Sequence, residues 1–230
     1  MKNRAWLPNS VTLLNLILGF YAIILIIREQ FVIAAFLIFV GMILDGIDGR
    51  LARKIAVDNP IGKELDSLAD LISFGVTPSL LIYQMYLTEY SILGVVVAVI
   101  FPVCGAVRLA RFNAVDSTDS SNYFKGLPIT AGGGILISFV LAGASLPSVV
   151  FIPIVLLVGY LMISTIKYPN FKKATPFQAK FIIAFIGACL VIALNNPSSM
   201  LMNMLVGYVC LGLGLHVSPI PKLARLFYTS

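Results

Sequence analysis

The chain has 230 residues, of which 59% are hydrophobic and only 11% are charged, and its mean hydropathy is +0.98. Soluble domains carry about 25% charged residues, so this composition excludes a soluble globular enzyme and indicates a polytopic membrane protein. The formal net charge of +6 could suggest a nucleic-acid partner, but the placement of the basic residues along the chain favours membrane topology as its cause.

Apolar segments long enough to cross a bilayer, about 20 residues each, follow one another along the chain. The basic start of "MKNRAWLPNSVTLLNLILGF" is followed by no small-residue cleavage site, so we expect a retained first span. The predicted spans lie near residues 7–27, 31–50, 65–87, 91–110, 128–145, 148–166, 179–195 and 200–217. This pattern predicts an all-α fold in which residues 1–230 form a single integral membrane domain of about eight transmembrane helices.

The lysines and arginines are distributed in a way that predicts the orientation of the chain. Fifteen of the 16 lie on one side of the predicted spans, and Arg28 alone lies on the other. By the positive-inside rule, both termini and the loops 51–64, 111–127 and 167–178 face the cytoplasm. We therefore expect a multi-pass protein of the cell membrane whose basic charge meets anionic lipid headgroups or phosphates, and not nucleic acid.

Ionisable residues are concentrated in the first part of the chain. Acidic residues cluster within residues 45–70, whereas the last two predicted spans contain almost nothing ionisable. We expect residues 1–175 to form a six-helix catalytic core that opens to the cytoplasm, and residues 176–230 to add two C-terminal transmembrane helices. The run "AGGGILISFVLAGAS" offers small-residue faces, which predicts close helix packing.

Four aspartates lie on two helical stripes in consecutive predicted helices. The first stripe has the spacing i, i+3, i+4, i+7, i+8 and contains Asp45, Asp48, Gly49, Ala52 and Arg53. The second has the spacing i, i+4, i+8 and contains Gly62, Asp66 and Asp70. Residues at these spacings share one face of a helix. An antiparallel pair of helices with a short cytoplasmic turn would therefore place the two stripes face to face.

Carboxylates this close repel one another, by roughly 4 kcal/mol for each pair at 4 Å and an effective dielectric of 20. Protonation or bound cations must relieve this repulsion. Oxygen ligands without cysteine or histidine favour a hard cation, either Mg²⁺, Mn²⁺ or Ca²⁺. Arg53, one turn from the acids, suits a phosphate oxygen. The combination predicts metal-assisted phosphoryl chemistry.

The complete spacing, D-x2-D-G-x2-A-R-x8-G-x3-D-x3-D, resembles the signature of the CDP-alcohol phosphotransferases, integral membrane enzymes of lipid headgroup synthesis. In this sequence it runs from Asp45 to Asp70. The resemblance implies that a CDP-diacylglycerol-type lipid, or a CDP-linked ether lipid, gives its phosphatidyl group to an alcohol and releases CMP. It also implies two divalent cations, Mg²⁺ or Mn²⁺, and a homodimer.

The same resemblance implies a role for each position of the motif. Asp45 and Asp66 would bridge the two cations. Asp48 would complete the first cation site and Asp70 the second, and Asp70 would also be the general base for the incoming hydroxyl. The residues implied to bind the CDP-lipid are Asn9, Thr12, Gly49, Ala52, Arg53, Asn59 and Gly62.

Two later motifs, "RLARFN" and "FKGLP", resemble the phosphatidylserine synthase branch of that family, the integral membrane type. An arginine here could hold the carboxylate of L-serine in a bidentate pair. The candidates are Arg108 and Arg111, with Lys125 near them in the second motif. Snorkelling arginines at a membrane boundary would give the same pattern. The resemblance implies transfer to serine, which forms phosphatidylserine.

Two alternatives remain open at the level of the sequence. The same chemistry could use glycerol phosphate or inositol phosphate as acceptor, although a dianionic acceptor should require more basic residues. A divalent-cation transporter could also place acids in membrane helices. Transport predicts acids near the middle of the bilayer and an inverted repeat, whereas here the acids lie at the predicted cytoplasmic end and no repeat is visible in the sequence.

Overall fold

The computed structural model describes residues 6–55, 60–114 and 123–169, together with residues 203, 205, 207 and 209, and within these ranges it is mainly helical. The α-helices are α1 (Trp6–Ile27), α2 (Phe31–Ile55), α3 (Pro60–Asp70), α4 (Thr77–Ile82), α5 (Ser91–Ala114), α6 (Ile129–Leu141) and α7 (Phe151–Ile163). Two short strands, β1 (Tyr123–Lys125) and β2 (Lys167–Pro169), pair in antiparallel register.

A continuous helical run over residues 60–90 is here called the third arm. It begins with α3 and leads into α5 without a loop. Two π-helical segments, Leu71–Val76 and Tyr83–Leu87, flank α4, and a 3-10 turn over Thr88–Tyr90 completes the run. The first π-helical segment begins directly after Asp70. Short π-helical insertions in α-helices are frequent at functional sites.

The chain reverses direction at Ser91, which has a positive φ of 48°. Beyond this residue α5 runs antiparallel to the third arm. The Ser79 hydroxyl donates to the carbonyl of Ala98, and Gly75 faces Pro102 further along the same pair of helices. The third arm and α5 therefore form one helical hairpin, and the C-terminal end of α5 returns to the level of α3.

Hydroxyl groups hold the third arm parallel to α1. The Ser73 hydroxyl donates to the carbonyl of Asn15 at 3.1 Å, and one turn later the Thr77 hydroxyl lies 3.3 Å from the carbonyl of Gly19. A side chain at Gly19 would overlap Ser73. Small residues and buried hydroxyls of this kind allow apolar helices to approach closely in a membrane-type interior.

Helix α2 returns antiparallel to α1 after the turn at residues 28–30 and packs at the same level. A Cβ atom at Gly41 would lie 2.7 Å from Oδ1 of Asn15 and 3.8 Å from the ring of Phe74. Asn15 is only 1% exposed. The contact between Asn15, Gly41 and Phe74, here called the three-helix contact, fixes how far α1, α2 and the third arm can slide past one another.

Helix α6 is buried from Ala131 to Ser138, and its three consecutive glycines each face a different neighbour. Gly132 faces side chains of α7, and Gly133 faces the carbonyl oxygen of Phe74 in the third arm. Gly134 faces Met42 of α2. Successive helical residues point about 100° apart, so the glycines allow α6 to pack closely on three sides, as the glycine-rich run predicts.

A small ribbon connects the segment before α6 with the chain that leaves α7, and the prediction of an all-α fold omitted it. Beside the strands, the N–H of Gly126 donates to the carbonyl of Ile166 at 2.8 Å. The N–H of Leu127 donates to the carbonyl of Leu161 at 3.0 Å. Gly126 has a φ of +78°, and a side chain there would overlap the carbonyl of Met162. The "FKGLP" motif therefore requires glycine at this position.

The first six predicted spans correspond to described helices: α1, α2, the third arm, α5, α6 and α7. The seventh predicted span, 179–195, and most of the eighth, 200–217, lie outside the described residues. By length and composition, Asn9–Ile27 and the run Ile61–Ala114 are apolar and long enough to cross a membrane. The second of these contains the reversal at Ser91, so it comprises the third arm and α5, which are antiparallel.

We expect Gly133→Ala to destabilise the helix bundle, because the new Cβ would lie 2.5 Å from the Phe74 carbonyl oxygen and backbone cannot easily move aside. Overpacking of this kind costs about 1–3 kcal/mol, which thermal unfolding in detergent would detect as a lower Tm. Gly46→Ala is the matched control, since open space surrounds that helical glycine. Its Tm should be unchanged or higher. Equal Tm values for Gly133→Ala and the wild type would contradict the packing.

Candidate active site

Asp45, Asp66 and Asp70, here called the acidic cluster, lie about one turn from the three-helix contact, towards the C-terminal end of α2. One turn from Asn15 along α1 is Thr12, and one turn from Gly41 along α2 is Asp45. One turn before Phe74 in the third arm is Asp70. Because the three helices are in contact at one level, residues one turn away on each are also brought to a common level.

Three of the four predicted metal ligands converge here. Asp45, Asp66 and Asp70 each offer a carboxylate oxygen, and these oxygens lie within 4.8 Å of one another. Asp45 and Asp66 are half-buried, whereas Asp70 is only 8% exposed. Ionised carboxylates so close together in a partly dry site need positive charge between them. An all-oxygen ligand set fits a hard divalent cation such as Mg²⁺ or Mn²⁺.

Asp48 lies on the same helix, α2, three residues after Asp45, but its side chain is outside the described residues. The same holds for Gly49, Ala52 and Arg53, whose backbone continues α2. Asn59 lies outside the described residues altogether, and Gly62 is half-buried in α3. The roles predicted for these six positions therefore stay predictions.

The first helix brings Thr12 to the level of the acidic cluster. Thr12 is 5% exposed, and Asn9 is half-buried one turn nearer the start of α1. Both residues take part in interactions within the structure. Thr12 lies six residues inside the start of α1, so it is not the cap of this helix. The nucleotide-binding roles predicted for Asn9 and Thr12 stay predictions.

Arg108 and Arg111, the two arginines of "RLARFN", have different surroundings. The guanidinium of Arg108 is half-buried and lies 5.5 Å from the centroid of the Phe112 ring. Arg111 donates from Nη1 to the carbonyl of Ile163 at 2.7 Å, at the C-terminal end of α7. A cation at this position also complements the helix dipole. Arg111 therefore connects α5 to α7, which the sequence reasoning did not anticipate.

Lys125 is exposed at the end of β1, where it pairs with Lys167 of β2. Its neighbour Gly126 is hydrogen-bonded to the chain just after α7. Arg111 and Lys125 are thus both located near the C-terminal end of α7. The two motifs "RLARFN" and "FKGLP" meet there, although 14 residues separate Arg111 from Lys125 in sequence.

A second polar group, which sequence reasoning missed, joins α3 to the end of α5. The side-chain amide of Asn113 donates to the Ser67 hydroxyl at 2.9 Å and lies 3.4 Å from a carboxylate oxygen of Glu64. Lys63 donates to the backbone carbonyl of Asn113 at 3.3 Å. Asn113 is the last residue of "RLARFN", but its partners lie 46 to 50 positions earlier, so no local pattern could identify them.

We expect Asp66→Asn to weaken binding of Mn²⁺ at least tenfold, because a neutral amide replaces one of three converging carboxylates. Purified protein in detergent can be titrated with Mn²⁺ and followed by electron paramagnetic resonance. Glu89→Gln is the control, since it removes the same charge at an exposed position on the opposite end of the third arm. Wild-type affinity in the Asp66 variant would mean that this residue is no ligand.

Known protein families and relatives match most of this chain. The model of the family described as CDP-alcohol phosphatidyltransferase matches residues 5–214. A Helicobacter pylori protein named CDP-diacylglycerol--serine O-phosphatidyltransferase is 38% identical over 190 residues, which is 80% of each chain. Proteins of the same name from Bacillus subtilis and Methanocaldococcus jannaschii are also 38% identical, over 73% of this chain and 92% and 75% of their own lengths. The chain belongs to the CDP-alcohol phosphatidyltransferase family.

Proposed function

We propose that this protein transfers the phosphatidyl group of CDP-diacylglycerol, or of a CDP-linked ether lipid, to the hydroxyl of L-serine. The products are phosphatidylserine and CMP. The observation that carries the proposal is the convergence of Asp45, Asp66 and Asp70 from the family motif. Serine as acceptor is supported by the names of the relatives, which share 38% of their residues with this chain.

The apolar helices and the membrane-bound family make this a membrane-associated protein. Our proposal extends further, to about eight transmembrane helices, a cytoplasmic active site and a homodimer. The excess of lysine and arginine in the loops at the acidic end supports the orientation. Such a scaffold suits the donor, because its lipid tails can remain in the bilayer while its charged head enters a polar site.

The cations of the proposal are Mg²⁺ or Mn²⁺, with two ions held among Asp45, Asp48, Asp66 and Asp70. The family uses divalent metals, and the oxygen-only ligand set fits them. When bound, such ions neutralise the diphosphate and stabilise charge on the attacking and leaving oxygens. In the proposal, Asp45 and Asp66 would contribute to holding both ions.

The chain's own residues would perform the remaining steps. The serine hydroxyl attacks the phosphorus next to the lipid, the bond from that phosphorus to the oxygen of CMP breaks, and CMP leaves. Asp70 accepts the hydroxyl proton, since it is the most buried of the three described acids. Arg53 would neutralise the diphosphate of the donor. Thr12 and Asn9, which lie one and two turns from Asn15 along α1, would hold the nucleotide.

For the carboxylate of serine, the proposal assigns Arg108 on the ground of its position on α5. Arg111 is exposed and donates to the carbonyl of Ile163 at the end of α7. Arg108 is half-buried on α5, one turn beyond Gly105, which packs near Leu71 next to Asp70. A guanidinium at this level can form a bidentate pair with a carboxylate bound beside the acidic cluster.

The reaction itself is tested by incubating purified protein with CDP-diacylglycerol, Mn²⁺ or Mg²⁺, and a panel of labelled alcohols. Asp70→Asn is expected to lower turnover about 10²- to 10⁴-fold, the usual contribution of a general base. Affinity for the CDP-lipid should remain measurable, because the other carboxylates can still hold a cation. If binding and turnover are lost together, Asp70 is chiefly a metal ligand and the base lies elsewhere.

Arg108→Ala and Arg111→Ala should separate acceptor binding from packing. We expect Arg108→Ala to raise the KM for serine about 10- to 150-fold, as for a lost charge-assisted pair worth roughly 1.5–3 kcal/mol. Its KM for the CDP-lipid should change little. Arg111→Ala should instead lower Tm, because the Ile163 carbonyl loses its donor. An unchanged serine KM in the Arg108 variant would exclude it from the acceptor site.

A further inference from the structure

The amide of Asn113 is held in one orientation by two neighbours on α3. One hydrogen of Nδ2 is donated to the Ser67 hydroxyl at 2.9 Å, and the other points to the Glu64 carboxylate, whose oxygens lie 3.4 and 3.5 Å away. A carboxylate can only accept, so the Nδ2 side of the amide must face Glu64. The Oδ1 side must therefore point away from Glu64, because an ionised carboxylate has no hydrogen to donate to it.

Oδ1 of Asn113 is buried, and within the described part of the chain no group donates a hydrogen bond to it. A buried acceptor left without a donor is unfavourable by about the desolvation free energy of the group. Native structures keep few such atoms, and a role in binding or catalysis is one physical reason for keeping one. A donor brought by a bound molecule would satisfy this oxygen.

The position of this oxygen relates it to the reacting groups. Ser67, which anchors the amide, lies between Asp66 and Asp70 in α3 and is separated from Asp70 by less than one turn. On α5, Arg108 lies a little more than one turn before Asn113. The ends of α3 and α5 thus combine a proton acceptor, a guanidinium and an unsatisfied oxygen beside a carboxylate.

We propose that Oδ1 of Asn113, whose amide is oriented by Ser67 and Glu64, accepts a hydrogen bond from the ammonium group of the amino-acid acceptor. This inference rests on the proposed transfer to serine and adds a specificity-determining residue to it. The ammonium of serine carries three donors and a positive charge. Arg108 would take the carboxylate at the other end of the molecule, which leaves the hydroxyl between them for Asp70.

The arrangement explains how an amino acid would be distinguished from other alcohols. A polyol phosphate can offer only a neutral hydroxyl to Oδ1 of Asn113, which is a weaker donor than a charged ammonium. Its phosphate would also be repelled by the Glu64 carboxylate. Sites built to hydrogen-bond a particular group discriminate strongly against molecules that lack it.

The test compares Asn113→Ala with Arg108→Ala on three molecules: L-serine, L-serine methyl ester and 3-hydroxypropionate. The ester keeps the ammonium and lacks the carboxylate, whereas 3-hydroxypropionate keeps the carboxylate and has a hydrogen in place of the ammonium. Each is measured as an acceptor or, where turnover is too slow, as a competitive inhibitor of serine. Asn113→Ala should weaken serine and the ester about tenfold, equivalent to 1.4 kcal/mol, and leave 3-hydroxypropionate unchanged. Arg108→Ala should weaken serine and 3-hydroxypropionate and leave the ester unchanged.

Ser67→Ala is the control for a merely structural role, because it removes the anchor of the amide and retains Oδ1. If holding α3 to α5 were all that Asn113 did, both variants would weaken the three molecules equally and lower kcat. That result, or an unchanged affinity of Asn113→Ala for serine, would overturn the inference. A wild-type protein that forms no phosphatidylserine would instead refute the proposed function, which is a separate outcome.

Discussion

The acidic cluster depends on the contact between Asn15, Gly41 and Phe74, where three helices meet without room for another side chain. Carboxylates repel, so nothing in the cluster itself would hold Asp45 and Asp70 together before a cation binds. The three helices that carry these carboxylates have to be held together by their packing at the three-helix contact, one turn away. The Ser73 hydroxyl bonded to the Asn15 carbonyl fixes the third arm on α1, and the absence of a Cβ at Gly41 lets α2 approach both.

The third arm has a second property that matters for the site. Its helix changes to π geometry at Leu71, immediately after Asp70, and returns to α geometry at Thr77. A π-helical segment contains more residues per turn, so the side chains before and after it are offset from a regular helical stripe. Asp66 and Asp70 can therefore face the cluster while Ser73 and Thr77 face α1.

The sequence was sufficient to predict the chemistry and the helices that carry it. The stripe spacing of Asp45, Asp66 and Asp70 predicted their convergence, because helical periodicity and an antiparallel connection determine it almost completely. The different surroundings of Arg108 and Arg111 could not be predicted in this way. Both have the residue type and spacing of a membrane-boundary arginine, and their burial and their tertiary contacts, such as that of Arg111 with Ile163, distinguish them.

The polar group around Asn113 and the β-ribbon escaped prediction for a related reason. Each depends on partners more than forty residues away along the chain, and strands of three residues have no periodicity to read. The helix begins at Pro60, five residues before the membrane span predicted near 65–87, as the placement of Gly62 on the same helical stripe requires. Proline is well suited to the first turn of a helix.

The reversal at Ser91 has a consequence for how such a chain enters a bilayer. The third arm and α5 are joined without a loop, and Gly94 packs directly on the carbonyl of Leu87. The tip of the hairpin presents only a few polar groups, among them the carboxylate of Glu89. The Ser79 hydroxyl finds its acceptor, the Ala98 carbonyl, only when both arms are present. Insertion of residues 60–114 as one paired unit would therefore keep the Ser79 hydroxyl bonded inside the lipid.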